Sequence, residues 1–138
     1  MMNLFIPKGI KIGSLTIAFY AICIIIGAIV AYQLSRHYLK KKGYRILEAN
    51  FRCRFGEIDL IARDGAYLVF IEVKYRSSLK DGDSLEAVNR RKQRKIIRVA
   101  EYYLCMHQEK ADLPCRFDVI GIEEERIRLI RNAFDCGS

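Results

Sequence analysis

Acidic residues are missing from the first 47 positions of this chain. All sixteen aspartates and glutamates come after Leu47, so the N-terminal stretch carries only positive charge. Within it, Leu15–Leu34 holds no charge at all, and only Thr16 and Gln33 are clearly polar. A core helix of a small soluble domain shows a polar face, and this segment has none. The five cysteines (Cys23, Cys53, Cys105, Cys115, Cys136) form no CxxC and no metal-type spacing. An odd count without a framework points to reduced thiols in a cytosolic compartment, most simply inert side chains filling core space. No Gly-rich phosphate loop, Ser-His-Asp set or Cys-His pair is evident. Internal repeats and long linkers are absent too.

What is present is one domain's worth of chain, 138 residues, with a net charge of +8. So large an excess implies an anionic partner.

Two runs carry the chemistry. Gly56-Glu57-Ile58-Asp59-Leu60-Ile61 and Val69-Phe70-Ile71-Glu72-Val73-Lys74 place ionised residues in apolar, strand-like sequence. Buried charge is costly unless it is paired or bound to metal. Period-2 alternation puts Glu57 and Asp59 on one strand face, and Glu72 and Lys74 on one face of the next. Asp64-Gly65-Ala66 between the runs signals a hairpin turn. A Gly65-Ala66 loop sets Asp59 opposite Glu72 and Glu57 opposite Lys74; an Asp64-Gly65 loop sets Glu57 opposite Glu72. Opposed side chains have Cβ atoms about 4.5–5.5 Å apart, close enough for two carboxylates to hold one Mg²⁺. Lys74 could then orient a water or stabilise charge on a phosphate. The plainer alternative is a cross-strand ion-pair network neutralised by Lys74. Against it, three carboxylates face one lysine, and the flanking residues are too apolar for a solvated face.

An acidic residue on one strand followed by Glu-x-Lys on the next is the pattern of the PD-(D/E)xK nuclease superfamily. The wider sequence is more specific. Gly43-Tyr44-Arg45-Ile46-Leu47, Asn50 through Ala62, Phe70-Ile71-Glu72-Val73-Lys74, Glu86-Ala87-Val88, Lys92-Gln93, Arg116-Phe117-Asp118-Val119 and Asn132-Ala133-Phe134 follow in order. Together they resemble the bacterial YraN (UPF0102) family over roughly residues 32–134. The resemblance implies an α/β, restriction-endonuclease-like (Holliday-junction-resolvase-like) mixed sheet flanked by helices. It also implies a divalent-metal site at Asp59, Glu72 and Lys74, with Glu57 as a fourth member and Mg²⁺ or Mn²⁺ as cofactor.

The N-terminus departs from that pattern. Leu15–Leu34 is long enough to cross a hydrocarbon core of about 30 Å at about 1.5 Å per residue. Lys8 and Lys11 precede it; Arg36, Lys40, Lys41, Lys42 and Arg45 follow. The heavier positive flank predicts a cytoplasmic domain anchored to the inner membrane through residues 15–34. Ile12 to Tyr20 and the apolar run after it also resemble the first transmembrane helix of prolipoprotein diacylglyceryl transferases; the rest of that enzyme is absent. A native anchor, a gene fusion and a misplaced start all remain open. The division expected is 1–34 for tail and span and 35–138 for the nuclease-like domain.

The remaining order reads α-β-β-β-α-β-β, a mixed sheet with helices packed on it. The first helix ends at Gly43, and Tyr44–Cys53 is the first strand. Ser77–Ser84 is a polar loop, and Ser84 is expected to cap a helix running to about Gln108. Arg116–Ile122 and Arg126–Asn132 form the last two strands, joined by Glu123-Glu124-Glu125. In the second helix, Arg90, Arg91, Lys92, Arg94, Lys95 and Arg98 fall within nine residues without an acid. Arg90, Arg91, Arg94, Lys95 and Arg98 share an arc of about 140°, opposite Ile96, Ile97, Val99, Ala100, Tyr103 and Leu104. That stripe suits a phosphate backbone, a solvated face, or anionic lipid near the anchor. His37 and His107 are expected on helix surfaces, and Asp118 is expected to pair with Arg116.

The function expected is a metal-dependent phosphodiesterase acting on DNA, reading structure rather than sequence. The alternative is a non-catalytic nucleic-acid-binding or membrane-associated module that retains a nuclease fold. A third reading is an inert fusion product.

Overall fold

A computed structural model of the chain describes residues 9–75, 88–123 and 126–136. The chain divides into two compact units, Met1–Gln33 and Leu34–Ser138. The elements are α1 (Gly9–Lys41), β1 (Arg45–Cys53), β2 (Gly56–Asp64), β3 (Tyr67–Tyr75), α2 (Arg90–Met106), β4 (Cys115–Glu123) and β5 (Arg126–Phe134), with a short 3₁₀ turn at Gln108–Lys110.

Helix α1 is long and apolar enough to cross a membrane, judged by length and composition over Gly13–Lys41. Its large apolar side chains, among them Ile17, Phe19, Tyr20 and Ile25, are exposed. The helix stops where the sequence predicts. Gly43 takes φ +95°, a left-handed conformation that suits glycine. The Tyr44 amide then reaches back to the Leu39 carbonyl at 3.0 Å and the Gly43 amide to Lys40 at 3.1 Å. These bonds satisfy carbonyls that the helix end leaves open.

Among the described residues five strands form one sheet in the order β1-β2-β3-β4-β5. Strands β3 and β4 run parallel, whereas the other neighbours are antiparallel. A parallel pair needs a crossover connection, and α2 lies within it. The mixed α/β sheet of the sequence reading is therefore the architecture observed. Ile96, Val99, Ala100 and Tyr103 of α2 are buried; they join a core with Ile61, Phe70, Phe117 and Val119 of the sheet. Ile97 and Leu104 pack against its margin. Tyr103 sets its ring edge-on to Phe51 at 5.2 Å and to Phe70 at 5.9 Å, a favourable aromatic geometry. The opposite sheet face buries Leu60, Val69, Ile71 and Ile120.

The β1–β2 hairpin comes close to α2. Gly56 has φ +144°, and a Cβ there would stand 3.4 Å from Val99 Cγ2. Strict alternation does not run through this hairpin. Ile58 and Ile61, three positions apart, both belong to the α2 core. The register passes from Ala49–Leu60 to Phe51–Ile58, with Asn50 between them left-handed at φ +53°. Asn50 thus lies opposite Asp59, and the pleat changes phase there.

Two expectations are corrected. The second helix begins at Arg90, capped by Asn89, whose Oδ1 accepts the Lys92 amide at 2.9 Å. Asparagine is as good an N-cap as serine. Ser84, the polar loop around it and Glu124-Glu125 lie outside the described residues. No cysteine is fully buried in the core, although Cys53 and Cys115 pack against its margin. Cys23, Cys105 and Cys136 are exposed, and Cys53 and Cys115 are half-buried, because branched aliphatic and aromatic side chains already occupy the interior.

Candidate metal and nucleic-acid site

The β2–β3 turn decides which carboxylates meet. The ladder runs from Asp64–Tyr67 to Leu60–Ile71, so the loop is Gly65-Ala66. Continuing that register sets Asp59 beside Glu72, the first of the two alternatives. The ladder ends there because a side chain takes over: Asp59 Oδ2 accepts the Val73 amide at 2.8 Å. The bond fixes the carboxylate between the strands.

Asp59 is electrostatically unusual. Its carboxyl is pushed up from 3.8 to about 7, first by burial and then by the negative charge of Glu72. The Val73 hydrogen bond opposes the rise, and Glu57 adds to it. A carboxyl forced so far from its ordinary range beside a second carboxylate marks a place where negative charge is crowded. Glu72 is itself buried on β3, and Lys74 follows two residues later, half-buried. Glu57 turns outward. Its half-exposed side chain meets Arg52 at 3.4 Å.

Asp118 shows what a structural aspartate looks like in the same sheet. It is buried on β4, and Arg116 Nε donates to its Oδ1 at 2.8 Å. Tyr44 donates its hydroxyl to Oδ2 at 2.7 Å. The Asn132 amide donates to Oδ1 at 2.9 Å, in a segment of β5 where the register slips and Asn132 takes φ +55°. Arg116 also reaches Asp64 at 2.7 Å. Each of these partners of Asp118 is a donor or a cation, so its charge is compensated. The pairing with Arg116 is the one the sequence indicated; Tyr44, Asp64 and Asn132 could not be foreseen from spacing.

Helix α2 supplies the element that sequence reasoning missed. Lys92 Nζ lies 2.6 Å from Glu72 Oε2. The bond to Glu72 raises the Lys92 ammonium's pKa, against the cost of its partial burial. Two signals in the sequence touched Lys92, its place in the Lys92-Gln93 pair of the family resemblance and its position outside the polar arc of the other five basic residues, and neither linked it to Glu72. Between the β1–β2 hairpin and α2 lies an open groove of about 360 Å³ lined by Glu57, Asn89, Arg91, Lys92, Lys95 and Ile96. The predicted stripe is otherwise as expected. Arg90, Arg91, Arg94, Lys95 and Arg98 are all exposed. The Arg98 guanidinium stacks 4.6 Å over the Phe55 ring, which Arg54 approaches at 4.9 Å. His37 is exposed, and His107 ends α2, half-buried against the Tyr103 ring at 4.1 Å.

Comparison with known sequences gives the family of the chain. A family model described as "Uncharacterised protein family UPF0102" matches residues 32–122. The chain belongs to the UPF0102 family. A UPF0102 protein of Lachnoclostridium phytofermentans is 52% identical over 102 residues, covering 74% of this chain and 86% of the relative. One from Thermodesulfovibrio yellowstonii is 51% identical over 102 residues, covering 74% and 89%. One from Legionella pneumophila (strain Corby) is 43% identical over 109 residues, covering 78% and 92%. The UPF0102 match contains Glu57, Asp59, Glu72, Lys74 and all of α2; residues 1–31 lie outside it.

The UPF0102 residues fit a hard divalent cation better than a softer one. Asp59 and Glu72 offer carboxylate oxygens alone. Among the described residues no group of three or more His, Cys, Asp or Glu side chains gathers into a cage. Mg²⁺ is commonly held by one or two carboxylates, the rest of its shell being water and phosphate oxygen. Structural zinc needs four closed ligands of nitrogen or sulfur.

Proposed function

We propose that this UPF0102 chain is a metal-dependent phosphodiesterase acting on DNA, built on a PD-(D/E)xK, restriction-endonuclease-like fold. The observation that carries the reading is the Asp59 carboxyl, fixed by the Val73 amide and pushed up to about 7 by burial and by Glu72. A site that crowds negative charge in this way favours a cation.

In this reading Asp59 and Glu72 hold Mg²⁺ or Mn²⁺. Bound there, the ion supplies Lewis acidity toward a phosphate oxygen and a more acidic water. The protein does the positioning. Val73 orients Asp59, and Lys74 offers an ammonium for the charge that builds on phosphorus. Glu57 completes the acidic rim. Arg90, Arg91, Arg94, Lys95 and Arg98 hold the backbone without reading bases. Helix α1 anchors the domain to the cytoplasmic side of the inner membrane, with the positive cluster after the span keeping the domain inside.

One observation favours the non-catalytic alternative. Lys92 already neutralises Glu72, as it would in a binding module that no longer takes a metal. Incubating the full chain with labelled DNA and Mg²⁺ or Mn²⁺, beside Asp59→Ala, separates the two. Metal-dependent cutting by the parent alone supports the phosphodiesterase; salt-sensitive binding without cutting in both proteins supports the module.

A further inference from the structure

Lys92 belongs to two places at once. Its ammonium closes on Glu72 at 2.6 Å, and its side chain also lines the groove beside Arg91 and Lys95. The Glu72 side chain is nearly buried, whereas that of Lys92 is more than half exposed. The lysine is the partner able to move. The wall opposite, Glu57, has its charge engaged by Arg52. At about 360 Å³ the groove lies within the size range of small-molecule clefts.

We propose that this groove is a phosphate subsite gated by the metal: a divalent cation taken by Asp59 and Glu72 displaces Lys92, which joins Arg91 and Lys95 in holding a phosphodiester. The inference rests on the metal reading of Asp59 and Glu72 and assigns that site a coupled ligand. Without metal, one of three cations in the groove is tied to Glu72. With a divalent ion on Glu72, the ammonium meets a like charge and loses its partner. It then turns to the nearest anion, on the side where Arg91 and Lys95 already line the groove. Lys92 is thus a positioning residue that makes metal binding and phosphate binding each favour the other. Linkage makes that coupling reciprocal.

The test uses the full chain in detergent micelles carrying Lys74→Ala to suppress cutting. Mn²⁺ affinity is measured by titration calorimetry, and affinity for a labelled DNA oligonucleotide by fluorescence anisotropy with and without Mn²⁺. The parent should bind DNA about tenfold more tightly once Mn²⁺ is saturating, within the usual range for coupled sites. Lys92→Met and Lys92→Gln should bind Mn²⁺ alone about tenfold more tightly and lose most of the Mn²⁺-dependent gain in DNA affinity. Lys95→Met should weaken DNA binding with and without Mn²⁺ and leave Mn²⁺ affinity unchanged. Lys92 variants that bind Mn²⁺ no more tightly than the parent, or keep the full gain, overturn the gating inference while leaving the metal site standing. A parent that binds no Mn²⁺ overturns the metal reading itself.

Discussion

The Asp59 carboxylate accepts the Val73 amide at 2.8 Å, just past the last ladder pair of β2 and β3, Leu60–Ile71. A side chain thus replaces a strand as hydrogen-bond acceptor. The substitution opens the sheet at that point and turns an acidic residue inward, and the ion pair of Lys92 with Glu72 closes over the same place.

The raised carboxyl makes stability depend on pH. Between the ordinary 3.8 and about 7 the folded protein holds a proton on Asp59 that the unfolded chain has released. Metal-free protein should therefore lose stability as pH climbs through that window and level off above it, by an amount on the order of a few kcal/mol. Asp59→Asn keeps an acceptor for Val73 and removes the charge. Urea denaturation in chelator, from pH 4 to pH 8, should show the fall in the parent and its absence in the variant.

Asp118 is held by donors instead. Its removal leaves Arg116, Tyr44 and the Asn132 amide without their shared acceptor. Breaking a buried pair by removing one partner costs about 3–5 kcal/mol. Asp118→Ala should lower the denaturation midpoint strongly, with its effect on DNA cutting following the loss of folded protein.

Those two aspartates show how far the sequence could be read. The β2–β3 hairpin and the mixed sheet were legible because strand-like apolar runs and one Gly-containing turn mark them; the outward turn of Glu57 was not, because alternation breaks between Ile58 and Ile61. The choice between two registers was not, since both keep the acids together; it took the Gly65-Ala66 loop to settle it. The apolar face of α2 was legible from period alone, but its start was not, because Ser84 and Asn89 are both competent caps. Lys92 was hidden for a geometric reason. It pairs with Glu72 across twenty positions of chain, and no spacing rule links a helix residue to a strand that far away. The network of Tyr44, Asp64 and Asn132 around Asp118 is non-local in the same way.

If the basic face of α2 holds DNA, salt will report it. Taking away one cation that meets a phosphate should reduce the slope of log affinity against log salt by about 0.9 on duplex DNA. Arg90→Ala, Arg91→Ala and Arg94→Ala should each do so. Arg98→Ala should also cost some stability, since its guanidinium stacks over Phe55. Anisotropy titrations at several salt concentrations, paired with thermal melts, check both.

The exposed apolar surface of α1 predicts where the chain goes. Full-length protein expressed in bacteria should pellet with membranes and resist extraction by alkaline carbonate. A version beginning at Tyr32 should move to the supernatant. Full-length protein found in the soluble fraction would contradict the anchor.

The most direct test of the central claim is cutting itself. Labelled single-stranded, duplex and branched DNA should be incubated with the full chain in detergent and Mg²⁺ or Mn²⁺, beside Glu72→Ala and Lys74→Ala. The parent should cleave at least one of these DNAs in a metal-dependent way, and both variants should lose that cleavage. Equal cleavage by all three proteins, or none by the parent while it binds DNA in a salt-sensitive way, would contradict the central claim.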